Sequence, residues 1–345
     1  MREGAIIYAT FYLTVGLLPH SERKNMSGKT KNLWTALSLI AAASICLIGA
    51  PTVRAQDEDA PRRLWDGAFL KKRAEAKTPA PARKTTAYRR ATPKKTAAAS
   101  EASKSSPAQN KAPQNQTAEQ AEGEMVGLTI WRLRPARAAD SKDSRLLLED
   151  DSSKVEWTPE RVEADTVFAL GDRVRLSIES PRDGYLYVID REKYADGAVS
   201  DPYLIFPSLT NRNGANSVAA GKLVELPNEL SSFRLGPMRP NPNYAGELLT
   251  IMVTSEPLKN VEPGSGPVRL DSETVAQWES QWAGAAERFE LIGGAGKTYT
   301  KAEKEAGQDG ARALTQDDAM PQTLYHVDVK HGAPLLVNVP LRTGK

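Results

Sequence analysis

The chain almost lacks cysteine. Cys46 is the only one in 345 residues, which excludes an internal disulfide and any multi-cysteine metal site. Histidine is nearly as scarce: there is His20, then His326 and His331. The last two lie in no signature context, and the chain contains neither a GxSxG nor an HExxH motif. Aromatic residues make up 6% and hydrophobic residues 40%, which is low for a chain that folds throughout. Part of it therefore has no core of its own. Net charge is also nearly absent, with 46 Lys+Arg against 43 Asp+Glu. That balance hides a local asymmetry, because Lys71 to Lys95 carries many basic residues and a single acidic one, Glu75.

The N-terminus carries two apolar stretches. The first runs from Ala5 to Leu18; the second follows Met26, Lys29 and Lys31 and runs from Leu33 to Ala50. Val53-Arg54-Ala55 then precedes acidic Gln56-Asp57-Glu58-Asp59. A basic head, an apolar run and small residues at the last and third-last positions describe a secretory signal. Cleavage is expected between Ala55 and Gln56, which also removes Cys46, and Met26 reads as the natural start. The bulky Ile45 before Cys46 argues against a lipoprotein signal. The protein is thus expected to leave by the general secretory route for the periplasm, the cell surface or the medium. The alternative is a single N-terminal membrane anchor, since about 18 apolar residues lie at the lower edge for a spanning helix.

Residues 56–124 read as a disordered basic linker rich in Pro, Ala and Lys, with one apolar cluster from Leu64 to Leu70. Such a composition buries too little apolar surface to offset the entropy of ordering its backbone. It serves as a solvated tether, or as an electrostatic contact with an anionic envelope surface. Nucleic acid is not expected as a partner, because an exported chain rarely meets it and the basic run lacks interleaved aromatics for base stacking.

Residues 125–345 read as one mainly β domain: an antiparallel, sandwich-like fold with one or two short helices. A first strand spans Val126–Leu133. Arg173–Glu179 alternates strictly, with Val174, Leu176 and Ile178 on one face, the period of a half-buried strand. Pro181-Arg182-Asp183-Gly184 is a turn, and Tyr185–Ile189 is apolar on both faces, so 173–190 is expected to form a hairpin. Leu248–Val253 is a further buried strand. Thr323–Lys330 and Leu335–Leu341 suggest a second hairpin around Gly332, with Pro340 marking an edge. Asp271 caps a helix expected to reach about Arg288, with Val275, Trp278, Trp282 and Phe289 as its stripe. Thr300-Lys301-Ala302-Glu303 is a capping box. The long segment 191–245, rich in Asn, Pro and Gly, implies elaborate loops at one end of the sandwich.

The stretches "GDRVRLSIESPRDGYLYVIDREKYADG", "DPYLIFPSL" and "GELLTIMVTSEPL" resemble the bacterial family catalogued as domain of unknown function 4384, over about residues 165–258. The resemblance implies a compact β-rich module found alone or attached to signalling and protease-like domains. It implies no known activity and carries no catalytic residues across. Modules joined to many different effectors tend to bind or sense.

Other apparent motifs fall short of chemistry. Gly293-Gly294-Ala295-Gly296-Lys297-Thr298 has Leu291 where a phosphate-binding loop needs glycine, and reads as a turn, so no nucleotide is expected. Asp190, Glu192, Asp196, Gly197 and Asp201 form an acidic stretch without calcium-loop spacing, and no metal is expected. No catalytic residue and no cofactor are assigned. The function expected is that of an exported, non-catalytic binding or interaction module of the cell envelope, with an unknown envelope protein or polymer as partner. Its candidate interaction loop contains Tyr203, Phe206, Arg212 and Asn213, since loops on a rigid scaffold carry recognition. The alternatives are an envelope structural or assembly protein, or a hydrolase of envelope polymers using paired carboxylates in a cleft.

Overall fold

The computed structural model describes residues 70–73, 87–91, 123–150, 153–308, 312–330 and 332–344. Cys46, the apolar run before it and the expected cleavage site at Ala55 and Gln56 lie outside these residues. Among the described residues no helix is long and apolar enough to cross a membrane.

The chain is mainly β, as expected. Its first strands are β1 (Tyr88–Arg90), β2 (Gly123–Pro135), β3 (Leu146–Asp150), β4 (Ser153–Val162), β5 (Val167–Phe168) and β6 (Arg173–Glu179). Next come β7 (Gly184–Tyr194), β8 (Tyr203–Phe206), β9 (Ser217–Val218), β10 (Leu223–Leu226), β11 (Phe233–Arg234), β12 (Tyr244–Thr254) and β13 (Val268–Arg269). Helix α1 (Ser272–Trp282), β14 (Ala286–Leu291), helix α2 (Lys301–Gly307), β15 (Thr323–Asp328) and β16 (Leu335–Thr343) complete the order.

Two sheets pack face to face. One runs β1-β14-β15-β2-β4-β3, with β6 on the opposite edge of β2 and β10 and β11 beyond it. The other runs β13-β8-β7-β12-β16-β5, with β9 also on β7. Inward side chains of both make one core, including Leu128 and Ile130 of β2, Leu176 and Ile178 of β6, Val188 of β7 and Ile251 of β12.

Both expected hairpins are instead crossings between the sheets. β6 pairs with β2 while β7 pairs with β12; β15 pairs with β14 and β2 while β16 pairs with β12. The apolar row of each strand faces that of its successor across the core rather than lying beside it. Alternation fixes which face is buried and leaves the hydrogen-bonded neighbour open.

The polar face of β6 is buried as well. Arg175, Ser177 and Glu179 are all 3% exposed or less. Three arginine–glutamate pairs satisfy this outer layer: Arg73–Glu179, Arg161–Glu303 and Arg175–Glu225. Trp131 donates its indole N–H to Ser177 Oγ at 2.8 Å, with Tyr299 edge-on at 4.7 Å between ring centroids. The capping box Thr300–Glu303 starts α2 as the sequence predicts.

Two segments inside the stretch read as linker are built into this face. Leu70 joins Tyr88, Met125, Phe289, Leu291 and Leu324 in an apolar cluster. β1 pairs with β14 and extends the sheet. Arg73 uses both guanidinium edges: Nε and one terminal nitrogen meet the Glu179 carboxylate at 2.6 Å, and the terminal nitrogens also reach the carbonyls of Thr315, Asp318 and Ala319.

Helix α1 starts at the expected cap, Asp271, which accepts from Thr274 N at 2.8 Å. It ends at Trp282, short of the expected Arg288, and Phe289 belongs to β14. Gly284 lets the chain turn there, since a Cβ would lie 2.7 Å from Asp328 O. Trp278 and Trp282 stack at 5.8 Å and pack with Val275 against Tyr187, Ile189 and Met252 on the outer face of the second sheet.

Candidate functional site

At the loop end of the sandwich the inner face changes character. Along β7, Leu186 and Val188 point into the core, and the same alternation carries Asp190 and Glu192 inward beyond them. Along β12, Val253, Ile251 and Leu249 point inward, and the next inward position is Glu247. Glu247 lies opposite Glu192, and Asp190 opposite Leu249, so Asp190 and Glu247 are diagonal neighbours.

A bulge shapes this corner. The β7–β12 register shifts between Tyr244 and Gly246. Residues three apart in a regular strand face opposite ways; the extra residue, Ala245, restores Tyr244 and Glu247 to one face. Tyr244 Oη then donates to Glu247 Oε1 at 2.5 Å. Gly246 is required here: its φ is 131°, and a Cβ would sit 1.9 Å from Leu341 O on β16.

The carboxyls differ in their partners. Glu192 is satisfied, by Tyr194 Oη at 3.0 Å and Met238 N at 2.5 Å. Glu247 is 6% exposed, and its Oε2 is buried without a hydrogen-bond partner, as is Asp190 Oδ1. Arg191, the nearest arginine in sequence, leaves by the opposite face to Glu279 and Thr250. Burial raises Glu247 to about 9, reinforced by the charge of Asp190. Burial likewise raises Asp190 to about 7, opposed by the Arg191 backbone N–H and reinforced by Glu192. Near neutral pH the corner therefore holds protons where ordinary carboxylates would be ionised.

These groups line a cavity of about 190 Å³ whose other walls include Val174, Leu176, Ile205, Phe233 and Leu249. A second, more open cavity of about 610 Å³ shares Glu192, Ser200, Tyr203 and Met238 with it, and adds Tyr194, Asp201, Arg239, Pro240 and Asn241. An apolar chamber with acid at one corner thus adjoins a polar vestibule walled by the 195–203 and 236–241 loops.

No family model, curated protein or solved structure matches the chain. The chemistry of the cleft rests on its own residues. Of the four loop residues expected to form a site, only Tyr203 lies here, at the seam between chamber and vestibule. Phe206 is fully buried in the core. Arg212 and Asn213 form a tight turn with φ of 53° and 52°. Arg212 lines a separate cavity of about 310 Å³ beside Arg175, Lys222 and Glu225, and Asn213 is exposed.

The acidic stretch is divided by the structure. Asp190 and Glu192 belong to β7, Asp196 caps the Ala198 N–H at 3.0 Å, and Asp201 pairs with Arg269 at 2.8 Å. Among the described residues no group of three or more acidic, His or Cys side chains is arranged to hold a metal ion. The glycine-rich stretch is a turn, with Gly293 and Gly296 at positive φ, and α2 starts only after Thr300. His326 is half-buried on β15, and His331 lies outside the described residues. Sequence reasoning missed Glu247, Tyr244 and Met238. The signal for Glu247 was present: it occupies an inward position of the Leu249, Ile251, Val253 alternation.

Proposed function

We propose that the chain is an exported, non-catalytic binding module of the cell envelope that holds its ligand in the cleft between the sheets. The observation carrying this reading is the pair of unpartnered, buried carboxyl oxygens on Asp190 and Glu247 in a chamber beside the loops. Each such group opposes folding by about 1–3 kcal/mol. Unlike the satisfied Arg–Glu pairs of the outer layer, these two oxygens gain no partner from the fold itself. Stability alone would favour a leucine at either position, so a ligand that completes the hydrogen bonds accounts for them. Loops held on two rigid sheets suit recognition. The export signal expected from the sequence supports recognition outside the cytoplasm.

A second reading, a hydrolase of envelope polymers, draws on the same two carboxyls. It needs one of them ionised and one protonated at the scissile bond. The chamber they line, about 190 Å³, is small for a polymer strand.

The test uses the chain from Gln56 onward and amide NMR with small probes: an alkylamine, an alcohol, a carboxylate and a monosaccharide. The binding reading expects at least one probe to shift Tyr203, Met238 and Leu249 selectively. It fails if no probe does so. It also fails if the chain releases soluble products from purified peptidoglycan and Asp190→Asn or Glu247→Gln abolishes that release.

A further inference from the structure

We infer that the chamber receives a protonated primary amine on an unbranched apolar stem, its ammonium shared by Asp190 Oδ1 and Glu247 Oε2. This rests on the cleft being a binding site and names the ligand class.

Charge sets the sign. Asp190, Glu192 and Glu247 converge on one corner, and among the described residues no arginine or lysine forms an ion pair with any of them. Facing the pair are Glu192 on β7, Tyr244 on β12, Tyr203 on β8 and Arg234 on β11, and Arg239 lines the adjoining vestibule, where it is exposed. Arg234 is exposed and its guanidinium lies against Gly171. The nearby parts of β6 and β16 supply Val174, Leu176 and Leu341, which carry no charge. An anion would find no cation paired to this corner and three acidic side chains around it, and a polyol would leave hydroxyls unsatisfied against the apolar walls.

Hydrogen bonding selects ammonium over guanidinium. A guanidinium fork is best met by both oxygens of one carboxylate. Glu247 Oε1 is already taken by Tyr244, while Glu247 Oε2 and Asp190 Oδ1 are buried without a partner. The two unpartnered oxygens thus come from different residues, which suits a compact charge with three rotatable donors. The stem follows from the walls. A cavity of about 150 Å³ lined by aliphatic side chains holds benzene, so about 190 Å³ accommodates a chain of similar heavy-atom count.

The test is calorimetric titration of the chain from Gln56 with 1-aminohexane, hexan-1-ol and hexanoate, with amide NMR on the same samples. The amine is expected to bind about tenfold tighter than the alcohol or better, since hydrogen bonds to charged groups dominate the difference. Asp190→Asn and Glu247→Gln are each expected to weaken the amine about tenfold, to leave the alcohol unchanged, and to melt no lower than wild type. Nα-acetyl-lysine methylamide binding tighter than 1-aminohexane would identify a lysyl side chain carried on a polypeptide; the reverse order would identify a free amine. Equal binding of alcohol and amine, or unchanged amine binding by both folded variants, overturns the inference. If the alcohol or hexanoate shifts the cleft amides while the amine does not, the cleft remains a site and only the ammonium assignment falls. If none of the probes shifts them, both readings fall.

Discussion

Glu247→Gln should stabilise the domain, and by an amount that grows with pH. In the folded chain burial and the nearby Asp190 hold Glu247 near 9, against an ordinary value of 4.5. Between those two values the folded state keeps a proton that the unfolded state has lost, so wild-type stability falls as pH rises through this window. Below pH 4 both states are protonated and the effect vanishes. Each pH unit inside the window is worth about 1.4 kcal/mol. At pH 7 the glutamate therefore weakens the fold by about 3 kcal/mol relative to acid conditions, and above pH 9 the penalty stops growing. Glutamine is neutral throughout, and its carbonyl can still accept from Tyr244. For a domain of this size about 1 kcal/mol moves the melting temperature by about 2–4 °C. Calorimetric or circular-dichroism melts should therefore show the variant higher by about 6–12 °C at pH 7 and level with wild type at pH 4. A variant that melts at or below wild type at pH 7, or an equal gain at both pH values, would refute the reasoning.

Asp190→Asn should behave the same way over a narrower window that closes near pH 7, readable in the same melts. Arg73→Ala strands Glu179 in a site where it is 2% exposed; urea titration should show a loss of about 3–5 kcal/mol, and a chain truncated to begin at Met125 should be weakened at least as much. Gly246→Ala should weaken the fold and abolish amine binding together, because a side chain there meets the β16 backbone; an amide spectrum with an unperturbed β12 would contradict the close approach. Phe206→Ala should cost about 3–5 kcal/mol by leaving a core cavity, whereas Asn213→Gly, at a positive φ on an exposed turn, should leave the urea midpoint nearly unchanged.

Much of the scaffold is legible in the sequence, for reasons visible in particular strands. Val174, Leu176 and Ile178 alternate, and they do face the core. Their strand's partner is not legible, because the same alternation serves a hairpin and a crossing between sheets equally well. The end of α1 is not legible, because Phe289 fits the helical stripe although Gly284 marks the turn into β14. Of the docked pieces, Leu70–Lys72 follows from the apolar cluster that ends at Leu70, whereas Tyr88–Arg90 sits in a stretch too polar to signal burial. They are held by one saturated guanidinium and one edge pairing, both of which depend on residues far along the chain. The cleft was half visible. Tyr203 was singled out in the long loop region, but Glu247 hides in an apolar run, and only the bulge at Ala245 turns Tyr244 toward it.

The most direct test of the cleft as a site for a cationic ligand counts protons. Burial holds both Asp190 and Glu247 toward their protonated forms near neutral pH, so an arriving ammonium must displace protons from the pair. Titrating 1-aminohexane into the chain in buffers of different ionisation enthalpy should show protons released as the amine binds, with a clearly smaller release for Glu247→Gln. Binding with no proton release, or with the same release from wild type and variant, would contradict the account.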